Sequence, residues 1–185
     1  MKKSFIESCM ILSLAFLLCF AVSCQQKGEE ATTVAESTAG EELKAKVRQE
    51  IDEAWNNGSL DVLDEFYSAD FVYHVPPQPD IVGLEAYKQF IIENRIAYPD
   101  LKLTIKEIIV EGDTLAMRWT YEGTQDGPSP TLGIPATGKH VTFSGCVVGH
   151  QVDGKIVETW NYVDWLGLLT QLGFTITPPT FPEEK

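Results

Sequence analysis

The chain has few cysteines, and their positions exclude a disulfide-stabilised domain. Of its 4 cysteines, Cys9 and Cys19 lie in an apolar N-terminal segment and Cys24 follows that segment. Only Cys146 remains, so no disulfide can form within the body of the protein. A domain of about 150 residues buries roughly 70% of its unfolded surface, which is enough for a hydrophobic core to hold it. We interpret Cys146 as a small buried hydrophobic residue.

Basic side chains are also scarce. The sequence has 14 Lys and Arg against 27 Asp and Glu, which gives a formal charge of −13. A protein this acidic is repelled by nucleic acids and by anionic lipids, so a small molecule or a protein is the expected partner. The 3 histidines are scattered, and neither they nor the thiols show metal-ligand spacing. A Gly-rich phosphate loop is absent from the sequence.

The N-terminus lacks an apolar run long enough to span a membrane, but it has the pattern of an export signal. A positively charged start precedes an apolar run over residues 10–22, and small residues then lead to Cys24. This pattern resembles a bacterial lipobox, although Ala21 occupies a position where Leu is more usual. We expect residues 1–23 to be a signal peptide and Cys24 to be lipidated. The alternatives are an ordinary secreted protein cleaved nearby and a retained membrane anchor.

The export signal predicts the location and the domain boundaries. The protein would be an exported, membrane-anchored lipoprotein, at the outer membrane or facing the periplasm if the organism is Gram-negative. Residues 24–40 are polar and small, and we expect a flexible tether there. Residues 41–175 would form the domain, and residues 176–185 a Pro-containing tail.

The domain begins with helical periodicity and changes to strand periodicity after Pro99. Three helices are predicted, the first with an apolar stripe at spacings of three and four and the third over about 84–97. Alternating residues then predict strands, and Asp153-Gly154 is a strong signal for the last hairpin turn. Helices followed by strands indicate an α+β fold with the helices on one face of an antiparallel sheet. A strongly bent sheet closing over helices makes a cone whose mouth opens into a ligand pocket.

Four blocks of sequence resemble a known family. They are YPDLKLTIKEIIVEGDTLAMRW, YEGTQDGP, LGIPATGKHVTFSG and DGKIVETWNYVDWLGLLTQLG. They are similar to the SnoaL-like polyketide cyclases, also called ester cyclases, of the nuclear transport factor 2-like superfamily. The resemblance covers about residues 43–174. It implies a cone-shaped α+β domain with three N-terminal helices packed on a strongly bent, mainly antiparallel sheet, and we expect a homodimer.

The resemblance also implies a mechanism. Members of this family use no cofactor and close a ring by an intramolecular aldol reaction on a polyketide ester. One aspartate acts as general acid and base, and a histidine assists it. The matching residues here are Asp164 and His150, so the resemblance predicts these two as catalytic and predicts no cofactor.

The spacing around Asp164 leaves two interpretations open. Alternation along the last strand places Asp164 on the same face as Trp160 and Tyr162. If that face lines the pocket, the two aromatic residues contact the substrate and desolvation raises the pKa of Asp164 into a range useful for proton transfer. Alternatively, Asp164 caps the helix that begins near Trp165. The aromatic residues would then more often belong to the core.

The other candidate residues have alternatives as well. An unbulged hairpin pairs His150 with Val157 and places His150 on the opposite face from Asp164, so that its place in the site requires a bulge at Gly149 or Gly145. Without one, His150 is a histidine at the rim or on the sheet surface. His74 resembles the family's histidine near the pocket mouth, or it is a loop histidine bonded to backbone. Arg118 either polarises a substrate carbonyl or joins a structural ion pair. Gln125 departs from the family, which commonly has His at the corresponding position.

Three functions are compatible with the sequence. The first is cofactor-independent acid/base chemistry, a cyclisation, isomerisation or dehydration of a small apolar carbonyl compound by a lyase or isomerase. The second is a lipid-anchored module that binds such a molecule without chemistry. The third is a structural role in which the sheet face forms a dimer. Polyketide assembly normally occurs in the cytoplasm, so an exported lipoprotein argues against literal polyketide cyclisation.

Overall fold

The computed structural model describes residues 38–177. The predicted signal peptide, the predicted lipidation site Cys24 and most of the predicted tether and tail therefore lie outside the described residues. Within residues 38–177, no helix is long and apolar enough to cross a membrane. The main compact unit begins at Leu43, and the site described below lies within it.

Two strands separate the second and third helices, so the order of elements is not simply helices followed by strands. Helix α1 covers residues 38–50 and continues as a π-helix over Ile51–Asn56. The other helices are α2 (Val62–Phe66), α3 (Leu84–Ala97) and α4 (Trp165–Leu172). The strands are β1 (Tyr67–His74), β2 (Ile81–Val82), β3 (Lys102–Glu111), β4 (Thr114–Thr124), β5 (His140–Val152) and β6 (Lys155–Val163).

The strands form one six-stranded sheet in the order β2-β1-β6-β5-β4-β3. Strands β1 and β6 are parallel, and every other neighbouring pair is antiparallel. Asp153 and Gly154 both have positive φ angles, of 49° and 76°, which suit the tight turn between β5 and β6. The predicted α+β fold, with N-terminal helices packed on a mainly antiparallel sheet, is confirmed.

The core lies between the helices and the inner face of the sheet. Alternate residues of β4 point inward, as the spacing predicts, from Leu115 to Tyr121. Helix α1 contributes its apolar stripe, and a cluster of aromatic rings joins it to β1 and α3. This cluster consists of Tyr67, Phe71, Tyr73 and Tyr87, whose ring centroids lie 4.6–6.5 Å apart.

The prediction of a buried Cys146 is wrong. Its neighbour Val147 on β5 is buried against the helices, so alternation along the strand turns Cys146 to the outer face, where it is exposed. The pattern gave the alternation but not which of the two faces lies inside.

Candidate functional site

A cavity of about 110 Å³ lies between the helices and the inner face of the sheet. Its walls are mostly apolar and aromatic, and three of the four tryptophans contribute to them: Trp55, Trp119 and Trp165. Several lining residues are partly exposed, so the cavity opens to solvent. Among them are Thr131 and Leu132 in the loop after β4 and Trp165 at the start of α4. Enclosed apolar walls with a few polar groups are typical of a small-molecule site.

Glu50 is a carboxylic acid in the wall of this cavity, and only 4% of its surface is exposed. The Tyr87 hydroxyl donates a hydrogen bond of 3.2 Å to its Oε1, and the Tyr67 hydroxyl also bonds to the carboxyl group. Burial raises the pKa of Glu50 to about 7, even though hydrogen bonds from Tyr67, Tyr87 and Trp55 act in the opposite direction. Glu50 therefore exchanges a proton near neutral pH.

The helix changes its winding directly after this carboxylate. Glu50 ends the α-helical part of α1, and the π-helix begins at Ile51. In a π-helix, residues five apart share a face, which places Trp55 beside Glu50. The Trp55 Nε1 atom donates to the Tyr87 hydroxyl over 3.3 Å, and that hydroxyl donates onward to Glu50. The π turn thus supplies the second member of a hydrogen-bond chain that ends on the carboxyl group.

A second hydrogen-bond chain crosses the sheet side of the cavity. The Trp119 Nε1 atom donates to the Asn161 side-chain oxygen over 3.1 Å, and the Asn161 side-chain nitrogen donates to the Tyr73 hydroxyl over 2.5 Å. All three residues line the cavity. Gly145 makes room for this chain, because a Cβ atom at Gly145 would overlap the Trp119 indole.

The cavity has a negative group and no positive one. Among the described residues that line it, none is Lys, Arg or His. Over residues 38–177, there is also no group of three or more His, Cys, Asp or Glu side chains that could hold a metal ion. The cavity therefore disfavours an anionic ligand.

Gln125 organises the loop that borders the opening. Its side chain is fully buried, and its amide nitrogen donates to the carbonyl oxygens of Gly127 and Pro135. Its side-chain oxygen accepts a hydrogen bond of 2.6 Å from the Thr137 hydroxyl. The residue that departs from the family pattern thus ties the two ends of the loop together and positions the lining residues between them.

Asp164 lies outside the cavity. It is exposed and sits at the N-cap of α4, where its Oδ1 accepts a hydrogen bond of 2.8 Å from the Gly167 amide. This is the capping interpretation that the spacing left open. Nothing in the site geometry supports the alternative, an acid held among the aromatic residues of a pocket.

The strand face that was expected to line the pocket is the outer one. Thr159, Asn161 and Val163 of β6 line the cavity, so Trp160 and Tyr162 point to the other side of the sheet, where Tyr162 is 57% exposed. The prediction that these two aromatic residues line the pocket is therefore wrong.

Arg118 also lies on the outer face, where its Nε atom forms an ion pair of 3.1 Å with Glu107. This matches the structural ion pair that the sequence left as an alternative. Arg118 is not among the cavity-lining residues.

His74 and His150 lie on either side of Trp160 on the outer face of the sheet. A bulge shifts the hairpin register so that His150 pairs with Glu158 instead of Val157, and this places His150 beside Trp160 with ring centroids 5.2 Å apart. His74 stacks on the other side of Trp160 at 4.9 Å. The bulge lies between His150 and Gln151, not at Gly149 or Gly145, and it brings His150 to the outer face and not into the cavity.

His74 is held between two carboxylates. Its Nδ1 lies 2.8 Å from Asp80, and its Nε2 lies 2.9 Å from Glu158. Desolvation lowers the pKa of His74, but the hydrogen bonds and charges of Glu158 and Asp80 outweigh it, so that the pKa rises above its usual value. His74 is a structural link between β6 and the segment after β1.

The sequence analysis missed the polar residues that do line the cavity. Glu50 had a usable signal, because it follows Val47 by three positions and precedes Ala54 by four, which places a carboxylate on the apolar stripe of α1. Tyr73 and Asn161 had none, since their position depends on which faces of β1 and β6 lie inside.

Comparison with known proteins agrees with this fold. A family model described as SnoaL-like polyketide cyclase matches residues 45–172. A protein from Jannaschia sp. CCS1 assigned to the SnoaL-like polyketide cyclases is 25% identical, with a TM-score of 0.66 over 76% of this chain and 95% of that one. TsrD from Streptomyces laurentii is 32% identical, with a TM-score of 0.61 over 70% of this chain and 96% of that one.

More distant structures share the fold alone. An epoxide hydrolase from M. tuberculosis is 20% identical and has a TM-score of 0.57 over 72% of this chain and 90% of that one. Comparison with curated protein sequences gave no match. Because the family model spans well over half of the sequence, the chain belongs to the SnoaL-like polyketide cyclase family.

Proposed function

We propose that the cavity catalyses proton transfer on a small, apolar, neutral carbonyl compound, with Glu50 as the general acid and base. The observation that carries this proposal is the position of Glu50, whose buried carboxyl group has a pKa of about 7 and lines the cavity. Both protonation states are populated near neutral pH, which is the condition for efficient removal and return of a proton. The reaction would be an isomerisation, dehydration or cyclisation.

The size of the cavity limits the substrate. An engineered cavity of about 150 Å³ in another protein binds benzene. The cavity here, at about 110 Å³, is of the same order and opens to solvent, so it suits a compound with about one ring whose remainder lies at the opening. Cyclisation of a polycyclic polyketide would require the loop over residues 125–139 to move away. A one-ring carbonyl compound fits the proposal better.

The protein's location and assembly remain part of the proposal. An exported lipoprotein anchored through Cys24 would present this cavity outside the cytoplasm, consistent with a small diffusible substrate. The outer sheet face would be available for a homodimer, and the acidic charge of −13 disfavours nucleic acid as a partner.

The second candidate is a binding module of the same fold. It is favoured by the outward position of Asp164 and His150, since both residues expected to be catalytic lie away from the cavity. Such a module would hold the same neutral ligand and leave it unchanged.

The test uses benzyl methyl ketone, a one-ring ketone whose hydrogens next to the carbonyl can be removed by a base. The purified full chain is incubated with it in D₂O, and exchange of those hydrogens is followed by proton NMR. Exchange above the buffer rate that is lost in Glu50→Gln, and retained in Asp164→Asn, supports the proposal.

Glu122→Gln serves as the matched control because Glu122 is exposed on the outer face of β4. Exchange at the buffer rate while the ketone is bound would favour the binding module. Equal exchange by wild type and Glu50→Gln would refute the role of Glu50.

A further inference from the structure

The chain of bonds through Asn161 has a defined direction. The Trp119 indole nitrogen can only donate, so the Asn161 atom 3.1 Å from it must be the side-chain oxygen. The Asn161 nitrogen therefore faces Tyr73, and the Tyr73 hydroxyl must accept its hydrogen bond. The orientation of this amide is fixed by chemistry, since the reverse orientation would place two donors face to face.

This direction leaves the Tyr73 proton uncommitted. The Tyr73 oxygen already accepts from Asn161, and its own O–H has no acceptor in the hydrogen bonds found over residues 38–177. Burial raises the pKa of Tyr73, so that the hydroxyl stays protonated at neutral pH. Tyr73 lines the cavity and is 5% exposed. It is a buried donor without an acceptor, and buried polar groups in proteins are usually hydrogen-bonded.

A second hydroxyl on the same wall has no hydrogen-bond partner among the described residues. Thr159 is the register partner of Tyr73 across β1 and β6, and it too lines the cavity. Its Oγ1 is buried and has no hydrogen-bond partner among the described residues. A Tyr73 proton without an acceptor, next to a Thr159 hydroxyl without a partner, indicates that a polar group of a ligand completes this wall.

We infer that Tyr73 donates a hydrogen bond to the carbonyl oxygen of a neutral ligand, with Asn161 and Trp119 as its positioning residues, and that the cavity selects a ketone or ester over the corresponding carboxylate. The inference builds on the proposed function. The preference follows from charge, because no Lys, Arg or His among the described lining residues can compensate a buried anion, and Glu50 would repel one.

The bond gives Tyr73 a role in the reaction. When the Glu50 carboxylate removes a proton from the carbon next to the carbonyl, the C–H electron pair forms the enolate double bond and negative charge develops on oxygen. The Tyr73 hydroxyl stabilises that oxygen, and protonated Glu50 returns the proton to carbon or to a new acceptor on the substrate. No oxidant, reductant or further reactant is needed.

Two ligands of nearly equal shape test the selectivity. Benzyl methyl ketone and phenylacetate differ by a methyl group in place of a charged oxygen, and phenylacetamide provides a neutral control. Calorimetric titration of the full chain at pH 8 is expected to give binding of the ketone and amide at least about 100-fold tighter than binding of phenylacetate. Equal or tighter binding of phenylacetate, or no binding of the ketone, would overturn the inference.

The infrared carbonyl stretch of the bound ketone tests Tyr73 directly. It is expected at lower frequency on wild type than on Tyr73→Phe, and affinity for the ketone should fall about fivefold in the variant. Asn161→Asp is a second variant: its carboxylate would accept the hydrogen bond of the Tyr73 hydroxyl, so the stretch should again move up although the residue keeps its size. Tyr162→Phe, on the outer face, is the control.

An unchanged stretch in Tyr73→Phe would refute the inference, even if the protein turns the ketone over. These binding measurements need no turnover, so they are independent of the exchange assay on Glu50. A shifted stretch with no exchange would retain Tyr73 as a ligand-binding residue and refute only the proposed catalysis.

Discussion

The hydroxyl of Tyr87 on α3 donates a hydrogen bond of 3.2 Å to the carboxyl group of Glu50 on α1. The same hydroxyl accepts a bond from the Trp55 indole, which fixes the direction of both bonds. Donors around a carboxylate stabilise its charged form, and here they moderate the larger effect of burial. The result is a buried acid whose pKa is about 7, so that neither protonation state is fixed at neutral pH.

Folding stability should depend on pH through Glu50. Its pKa is about 7 in the folded protein against an ordinary value of 4.5 for glutamate, so the folded state binds the proton more tightly. That contribution is complete below about pH 4.5 and is lost as the pH rises through about 7. A shift of this size corresponds to about 3 kcal/mol.

Urea unfolding between pH 4.5 and 8 measures this contribution. Relative to Glu50→Gln, the free energy of unfolding of wild type should fall by about 3 kcal/mol as the pH rises over this range. The pH dependence of unfolding free energy in Glu122→Gln should be parallel to that of wild type. If the Glu50→Gln curve is also parallel, the raised pKa is refuted.

Removing the Tyr87 hydroxyl should raise the pKa of Glu50 further. In Tyr87→Phe, one donor to the carboxylate is lost while burial remains, so the charged form becomes less favourable. The midpoint of the exchange rate against pH should shift upward relative to wild type. The variant should also lose about 1 kcal/mol of stability, since the Trp55 indole loses its acceptor.

The pH profile of exchange with benzyl methyl ketone, and a carbon-13 NMR titration of Glu50, measure the shift. Tyr162→Phe should leave both unchanged, because Tyr162 is on the outer face. A midpoint that moves down in Tyr87→Phe would contradict the hydrogen-bond arrangement.

The fold could be predicted because it depends on patterns that a sequence displays directly. The spacing in α1, the alternation in β4 and the Asp153-Gly154 turn each restrict local structure to one solution. The site could not be predicted in the same way. On β6, Trp160 and Tyr162 are the more hydrophobic pair, yet Thr159 and Asn161 face the cavity.

Alternation identifies two faces but does not say which one is inside. The more hydrophobic face normally lies inside. On β6 this rule predicts the wrong face, because the cavity wall carries the polar residues Thr159 and Asn161. The register of His150 depended on a bulge that no local signal marks. The failure on β6 concerns the cavity wall, where a sequence departs from the rules that stabilise a core, whereas the failure at His150 concerns the outer face of the sheet.

Asp164 should matter for stability and not for exchange. Asp164→Ala removes the acceptor for the Gly167 amide, and loss of an N-cap costs about 1 kcal/mol. Asp164→Asn keeps a capping oxygen and should lose much less. Thermal unfolding and the exchange assay on the same samples separate the two effects. A large loss of exchange in Asp164→Asn with an intact fold would show that Asp164 acts in the reaction.

His74 should titrate above its usual range because of its two carboxylate partners. Since its pKa is raised in the folded state, the stability that it contributes is complete below the unfolded pKa and is lost as the pH rises through the folded pKa. Glu158→Gln removes one partner, so the pKa of His74 should fall, and Asp80→Asn should act in the same direction.

Glu107→Gln is the matched control, since Glu107 pairs with Arg118 and not with His74. NMR titration of the imidazole carbons measures all four proteins. A pKa of His74 that is unchanged in Glu158→Gln would mean that the 2.9 Å contact contributes no electrostatic stabilisation in solution, whereas a fall confirms that His74 links β6 to the segment after β1 as a charged group.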